Sequence, residues 1–182
     1  MRLPLRIHTQ SHPDGCTQTA ISAIAEDVLQ QRVDPEYLYT LTNDKEFGVR
    51  PEVALNAAIE KGVRLEDTGQ IVFPFTRFKR IRNFFGIGFF DKIVEELKHG
   101  SLFCGCFWQN EWGFTSDGML SLPKKWKRVN PHAFKVIDTT IIRGKQYLVI
   151  QNSRGDKVGH NGLYFAPKEV VNKFSFAYRL IV

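Results

Sequence analysis

Cysteine is scarce in this sequence, and long hydrophobic runs are absent from it. The 182 residues include 3 cysteines, which cannot all pair within one chain, and Cys104 and Cys106 stand too close in a predicted strand to pair comfortably. The N-terminal apolar residues are interrupted by Pro4, His8 and Pro13, so no signal-peptide core is present. No apolar run approaches the roughly 20 residues that cross a bilayer. We therefore predict no membrane segment and a cytoplasmic, reducing location, with delivery outside the cell by another route left open.

Internal repeats, low-complexity tracts and linkers rich in Gly, Ser or Pro are also missing, which excludes the disordered and fibrous classes. The composition is 43% hydrophobic and 13% aromatic, which is enough to fill the interior of a domain of this length. We predict one domain over residues 1–182, with residues 1–100 mainly helical and residues 101–182 mainly in strands.

Basic residues are in excess and concentrate in two clusters. The net charge is +6, and the clusters read TRFKRIR at residues 76–82 and PKKWKR at residues 123–128. Aromatic residues lie within or beside both clusters, a combination that nucleic-acid-binding surfaces share. No nucleic-acid motif accompanies them, and Lys and Arg stems commonly cover apolar surface. We therefore do not expect nucleic acid as a partner.

The first half of the sequence has helical periodicity. Apolar residues recur at helical spacing over residues 17–31, and a proline follows the end of this stretch. A second helix is predicted over residues 51–61, because Pro51 suits the first helical position and Gly62 suits the position after the end. A shorter helix is predicted over residues 89–98.

The second half changes to strand periodicity. The predicted strands are residues 102–108, 133–142, 146–151, 163–166 and 176–181. Helices followed by antiparallel strands predict an α+β fold with a cleft between a helical layer and a sheet layer. Cys104 and Cys106 fall on one face of a strand and are expected in the core, since a zinc site would need two further ligands.

Cys16 stands between a Pro-Asp-Gly turn and the first predicted helix. The free N–H groups and positive dipole end of a helix start stabilise an anion, so a thiol there becomes a better nucleophile. Gln10 lies upstream, and a side-chain amide can donate to an oxyanion beside the nucleophile's own N–H. Judged singly, a structural thiol and a solvent-facing loop glutamine are the more common alternatives.

His132 begins one predicted strand and Asn152 ends the next. A turn centred near Gly144 places Asn152 opposite about residue 136, within diagonal reach of His132 if a bulge intervenes. The asparagine carbonyl could then accept from one ring N–H and aim the other nitrogen at a thiol. A lone histidine is usually structural, but together the three residues would supply a nucleophile, a base and an orienting amide.

The order and context of these residues resemble the papain-like cysteine peptidases. The likeness consists of Gln10, then Cys16 at a helix start, then His132 before a small residue, then NSRG at residues 152–155 and GHNGLYF at residues 159–165. It implies a papain-like α+β fold, with an N-terminal helical lobe whose central helix starts at the nucleophile and a C-terminal antiparallel β-sheet or barrel lobe. The cleft would lie between the lobes.

The resemblance implies a role for each residue. Cys16 would be the nucleophile, His132 the general base and acid, and Asn152 the residue that orients His132. Gln10 and the Cys16 backbone N–H would form the oxyanion hole. A single catalytic domain would cleave peptide or isopeptide bonds of a peptide or protein substrate through a thioester, with no metal or organic cofactor. The alternatives are an acyltransferase or transglutaminase-like enzyme on the same site, and a catalytically inactive basic binding module.

Several positions depart from the family pattern. The family's Cys-Gly-Ser-Cys-Trp reads Pro-Asp-Gly-Cys-Thr here, and the tryptophan after its Asn-Ser pair is replaced by Arg154. The glycine pair that lines the family's peptide cleft is reduced to Gly48 followed by Val49. We expect no inhibitory pro-segment, and we expect Asp14 to point away from the thiol. The Arg154 charge is predicted to lower the pKa of His132.

Overall fold

The computed structural model describes residues 6–42, 49–83, 88–128 and 130–182, without the side chains of residues 113 and 114. The helices are α1 (Cys16–Leu29), α2 (Pro35–Thr42), α3 (Pro51–Glu60), α4 (Phe89–Leu97) and α5 (Lys168–Val171), with a 3-10 helix at Asn110–Phe114. The strands are β1 (Val33–Asp34), β2 (Val63–Leu65), β3 (Ile71–Val72), β4 (Arg77–Arg80), β5 (Leu102–Phe107), β6 (Pro131–Ile142), β7 (Lys145–Gln151), β8 (Leu163–Pro167) and β9 (Phe176–Ile181).

The central helix α1 confirms the first predicted helix with shifted ends. It begins at Cys16 and stops at Leu29, because Gln30 takes the left-handed conformation and its N–H caps the carbonyl of Glu26. Every residue from Thr17 to Glu26 is buried, so this helix packs on several sides.

Helix α2 was not predicted, because Pro35 was read as a stop signal. Pro35 is instead the first residue of α2, a position where its missing N–H costs nothing. Asp34 caps this helix, since its Oδ1 accepts from the backbone N–H of Glu36 at 2.8 Å.

A six-stranded antiparallel sheet in the order β4-β9-β5-β6-β7-β8 confirms the predicted strands of the second half. The expectation of a mainly helical first half overlooked β1–β3, which form a separate small sheet, and β4, which pairs with β9. These strands have two to four residues, too few to establish a period of two.

The large sheet separates two hydrophobic cores. On one face, α1 and α3 pack against Phe103, Ala133 and Tyr178 of the sheet. On the other face, α4 and α5 cover a core that includes Cys104 and Cys106. The N-terminus of α1 therefore meets the start of β6 at the edge of the helical layer. Over the described part of the chain, no helix is long and apolar enough to span a bilayer.

Candidate active site

Cys16 is held at the first position of α1 by the loop that precedes it. The Gly15 N–H donates to the carbonyl of His12 at 3.0 Å, and Thr19 donates both its N–H and its hydroxyl to the carbonyl of Gly15. The Cys16 Sγ accepts from the backbone N–H of Ala133 at 3.4 Å. The thiol is thus brought beside the residue that follows His132.

His132 and Asn152 are hydrogen-bonded, with Nε2 and Oδ1 2.7 Å apart. The Ser153 N–H donates to the same Asn152 atom at 2.7 Å, so that atom is the carbonyl oxygen. A carbonyl oxygen only accepts, so Nε2 carries a hydrogen. In the neutral ring, Nδ1 is then free to accept a proton.

A bulge brings these two side chains into reach. The β6–β7 register shifts between Val136 and Asp138, after which Lys135 pairs with Gln151. Continuing that register places Asn152 opposite Phe134, two positions from His132. Without the shift Asn152 would face Lys135, three positions from His132, and its side chain would lie on the opposite face of the sheet from His132.

Cys16 and His132 line the same cleft, which has a volume of about 110 Å³. Its other walls come from Asp14, Thr17, Val49, Pro51, Pro131, Ala133 and Phe176. Gly48, which the family resemblance placed on this wall, lies outside the described residues, whereas its neighbour Val49 lines the cleft.

Gln10 bridges the loop before Cys16 and Ser153, the residue that follows Asn152. Its Nε2 donates to the carbonyls of His12 and Pro13 at 2.9 and 2.8 Å. The side-chain Oε1 of Gln10 accepts from the Ser153 hydroxyl at 2.6 Å, and the backbone N–H of Gln10 donates to the Ser153 carbonyl at 2.8 Å. Both hydrogens of the Gln10 side-chain amide are thus bonded to backbone carbonyls. To donate to an oxyanion, the amide would have to give up its bond to His12 or to Pro13.

Burial keeps the thiol and the imidazole neutral at rest. Burial raises the pKa of the Cys16 thiol and outweighs the hydrogen bonds from Ala133 and Thr17 that lower it. This direction is opposite to the one that a helix start alone predicts. Burial lowers the pKa of His132 to about 4, against the opposing Asn152 hydrogen bond, and Arg154 lowers it further. The predicted direction of the Arg154 effect is confirmed, although burial is the larger cause.

Trp108 covers His132 and was not identified from the sequence. The two rings meet edge to face with centroids 5.2 Å apart, and Tyr164 packs against Trp108 at the same distance. Trp108 is 2% exposed and His132 is 7% exposed. The indole follows β5, whose Cys106 pairs with His132, so the pairing of those two strands is the signal that could have located it.

Two other expectations concern Asp14 and the pair of Cys104 and Cys106. Asp14 was expected to point away from the thiol; it lines the cleft, and its carboxylate accepts from the Tyr39 hydroxyl of α2 at 2.9 Å. Cys104 and Cys106 are buried in the core as predicted. Burial raises the pKa of both thiols, which leaves them protonated at neutral pH.

Comparison with known proteins finds solved structures of the same fold but no relative by sequence. No protein-family model matches the chain, and no curated protein matches it. Xylellain, a cysteine protease from Xylella fastidiosa, superposes with a TM-score of 0.79 and 15% identity, over 99% of this chain and 84% of that one. The bromelain protease from Ananas comosus, solved with the E64 inhibitor, has a TM-score of 0.77 and 15% identity, over 98% and 94%.

Digestive procathepsin L 3 of Tenebrio molitor larval midgut is a third structural neighbour, with a TM-score of 0.76 and 15% identity. The chain is covered to 97% and spans 66% of that proenzyme, just under two thirds of its length. The chain has a papain-like fold, with a mixed helix and sheet architecture in common with these cysteine proteases.

Proposed function

We propose that this chain is a cysteine peptidase that cleaves peptide or isopeptide bonds through a thioester on Cys16. The observation that carries the proposal is that Cys16 and His132 line one cleft while Asn152 holds Nε2 of His132. The ring nitrogen Nδ1 is thereby left to act on a proton. The papain-like fold of several cysteine proteases supports the same reaction class.

Acylation starts from the neutral pair. Nδ1 of His132 takes the Cys16 proton as Sγ attacks the substrate carbonyl carbon, which forms a tetrahedral intermediate and an imidazolium. The Cys16 N–H at the start of α1 has no intrahelical partner and donates to the oxyanion, with the Gln10 amide as the proposed second donor. The intermediate collapses, the C–N bond breaks, and the imidazolium protonates the leaving amine.

Deacylation uses the same groups in reverse. His132 takes a proton from a water that attacks the thioester, and the second intermediate expels the Cys16 sulfur, which regains a proton from the imidazolium. Trp108 packs against His132 and keeps bulk water from the Asn152 hydrogen bond, which preserves the ring orientation through both steps. Residues 1–182 act here as a single catalytic domain, with a peptide or protein substrate and no metal or cofactor.

The proposed location is the cytoplasm. Cys16, Cys104 and Cys106 are all free thiols in the structure, a state that a reducing compartment maintains. The nucleophile in particular must stay reduced to act.

The test is the identification of new protein termini after incubation with a cell lysate. Wild-type protein should generate cleaved ends that Cys16→Ala and His132→Ala do not generate. Addition of a primary amine separates the outcomes: free acids support the peptidase, whereas amide products at the same sites indicate a transferase. The absence of both products would contradict the proposed function.

Thiol labelling separates an enzyme from an inactive binding module. Iodoacetamide should alkylate Cys16 much faster than Cys104 or Cys106, because Cys16 lines the cleft together with the base His132, whereas the other two thiols are buried in the core. His132→Ala should slow the reaction at Cys16 alone. Equal rates at all three thiols in the folded protein, or no effect of His132→Ala, would indicate that the site does not activate its cysteine.

A further inference from the structure

Phe176 separates the catalytic cleft from a second, larger cavity. The Phe176 side chain lines the cleft that contains Cys16 and also lines a cavity of about 450 Å³. Its ring packs against Phe103 with centroids 5.2 Å apart, and a Cβ on Gly105 would overlap it. Because Gly105 of β5 has no side chain, the Phe176 ring packs directly against the strand at that position, and Phe176 is the residue that the two spaces share.

The second cavity is basic. The residues that line it are Arg80, Ile81, Arg82, Asn83, Ser175 and Phe176. Two arginines and the Ser175 hydroxyl supply donors to this concave space, and guanidinium matches the geometry of a carboxylate. The Asn83 amide already donates to the carbonyls of Asn172 and Phe174 at 3.4 and 3.1 Å.

The two arginines differ in how far their charges are compensated. Arg80 lies over the Tyr178 ring with its Cζ 5.9 Å from the centroid, and the Tyr178 hydroxyl donates to Glu52. That hydrogen bond lowers the pKa of Glu52, so Glu52 is ionised beside Arg80. Arg82 is exposed, and within the described residues no carboxylate pairs with it.

We propose that the substrate cleft continues past Phe176 into this cavity, and that Arg82 there binds an acidic side chain of the substrate. This inference rests on the proposed peptidase function and adds a substrate class, namely peptides with Glu or Asp at one position near the scissile bond. The wall shared with the Cys16 cleft at Phe176 favours a peptide over nucleic acid, since one peptide that passes Phe176 would reach both cavities. The net charge of +6 also attracts acidic substrates.

The experiment uses peptide electrophiles that alkylate Cys16. A series of peptidyl chloromethyl ketones carries one Glu moved from position to position, and each member has a partner with Gln at the same place. At one position the Glu probe should alkylate Cys16 about 10-fold faster than the Gln probe, the size of effect that a charge-assisted hydrogen bond produces. Mass spectrometry measures the second-order rate at Cys16.

Two charge reversals provide the decisive comparison. Arg82→Glu should abolish or invert the preference for Glu, whereas Arg77→Glu should preserve it. Arg77 of β4 is also exposed and lines neither cavity, so it controls for net charge. Arg82→Lys should retain part of the preference.

The outcomes distinguish the two proposals. If Gln probes alkylate Cys16 but no position favours Glu, or if Arg77→Glu and Arg82→Glu lose the preference equally, the acidic subsite is wrong and the nucleophile stands. If neither probe series alkylates Cys16, the proposed function fails and the subsite fails with it.

Discussion

At the scale of single residues, the site combines a neutral thiol, a buried imidazole and an amide that holds it. The resting groups are neutral because burial disfavours the charged form of each, raising the pKa of Cys16 and lowering that of His132 to about 4. In the proposed mechanism, His132 must be unprotonated before it can take the proton of the Cys16 thiol. The limb of the pH–rate profile that reports His132 is therefore the acid limb.

Arg154 should set part of the position of that limb. Arg154→Gln and Arg154→Trp both remove a positive charge that lowers the pKa of His132, so the pKa should rise. The acid limb of kcat/KM should move to higher pH in both variants, because protonation of the base then begins at higher pH. The measurement is kcat/KM against pH with one substrate.

Arg154→Lys is the matched control for that shift. It keeps the charge and should leave the acid limb where it is. Superimposable curves for wild type and Arg154→Gln would show that the guanidinium does not act on the imidazole.

Gln10 could act as an oxyanion donor or only as a structural support of the loop before Cys16, and kinetic measurements separate these two roles. If its amide replaces a backbone contact to donate to the oxyanion, Gln10→Ala should lower kcat by about 10²-fold. Iodoacetamide alkylation forms no oxyanion, so the alkylation rate at Cys16 should change by less than about twofold. The two rates are measured on the same preparation.

A purely structural Gln10 would behave differently. It would brace the loop before Cys16 through His12 and Pro13, and its loss would reduce kcat and the alkylation rate together. Ser153→Ala removes only the bond to the Gln10 Oε1 and should reduce kcat by a smaller factor than Gln10→Ala.

At the scale of elements, the pairing of β5 with its two neighbours organises the cleft. β5 pairs with β6, which supplies His132, and with β9, which supplies Phe176. Gly105 at the middle of this arrangement faces the Phe176 ring, and the His132 carbonyl lies 2.9 Å from a Cβ built on it. The position therefore tolerates no side chain without displacement of one of these groups.

Gly105→Ala should accordingly destabilise the protein by about 1–3 kcal/mol, as overpacking of a close-packed interior does. Displacement of Phe176 should also raise KM for peptide substrates, because that ring separates the two cavities. Urea unfolding and steady-state kinetics measure these effects.

A double-variant cycle attributes the effect to the ring. The double variant Gly105→Ala/Phe176→Ala has no Phe176 ring for the new Cβ to clash with. Its loss of stability should therefore be less than the sum of the losses in the two single variants. Additive losses, or a Gly105→Ala protein as stable as wild type, would contradict the steric explanation.

At the scale of the whole molecule, a buried ion cluster ties the N-terminal segment to the central helix. Glu26 of α1 accepts from Arg6, His8 and Arg32 at 3.4, 3.2 and 3.3 Å, and from the Val33 N–H at 3.1 Å. Burial would raise the pKa of Glu26, but the His8 hydrogen bond and the nearby cations outweigh it, so the pKa is below its ordinary value of 4.5. The segment that leads to Gln10 is thereby anchored.

The sign of the pH dependence follows from the lowered pKa. A folded-state pKa below the unfolded value adds stability that is complete above pH 4.5 and is lost as the pH falls through the folded-state value. Glu26→Gln should cost about 3 kcal/mol at pH 7, because the cluster loses its buried anion. The difference in the free energy of unfolding between Glu26→Gln and wild type should become smaller at acid pH.

Urea unfolding at pH 7 and at pH 3 measures this difference. Glu66→Gln is the control, since Glu66 pairs with Arg6 at a surface where its side chain is 32% exposed, and such pairs contribute under about 1 kcal/mol. Equal losses for the two variants, or a difference that does not change with pH, would show that the Glu26 charge is not the cause.

Much of the fold and of the candidate site was predictable from local pattern. Apolar residues recur with a period of 3.6 in helix α1 and a period of 2 in the strands of the second half. These patterns are visible in consecutive residues and do not depend on contacts between distant segments. The order of Gln10, Cys16, His132 and Asn152 likewise indicated a papain-like site, and the hairpin turn at Gly144 predicted that the last two would approach each other.

Only the tertiary structure decided how those residues are arranged around one another. The bulge after Val136 sets the register that joins His132 to Asn152, and no short stretch of sequence encodes that shift. Trp108 reaches His132, and Phe176 lies between two cavities, because strands distant in sequence become neighbours in one sheet. Burial, which reverses the expected pKa direction of Cys16, depends on the packing of the whole chain around the thiol and is a property of no single segment.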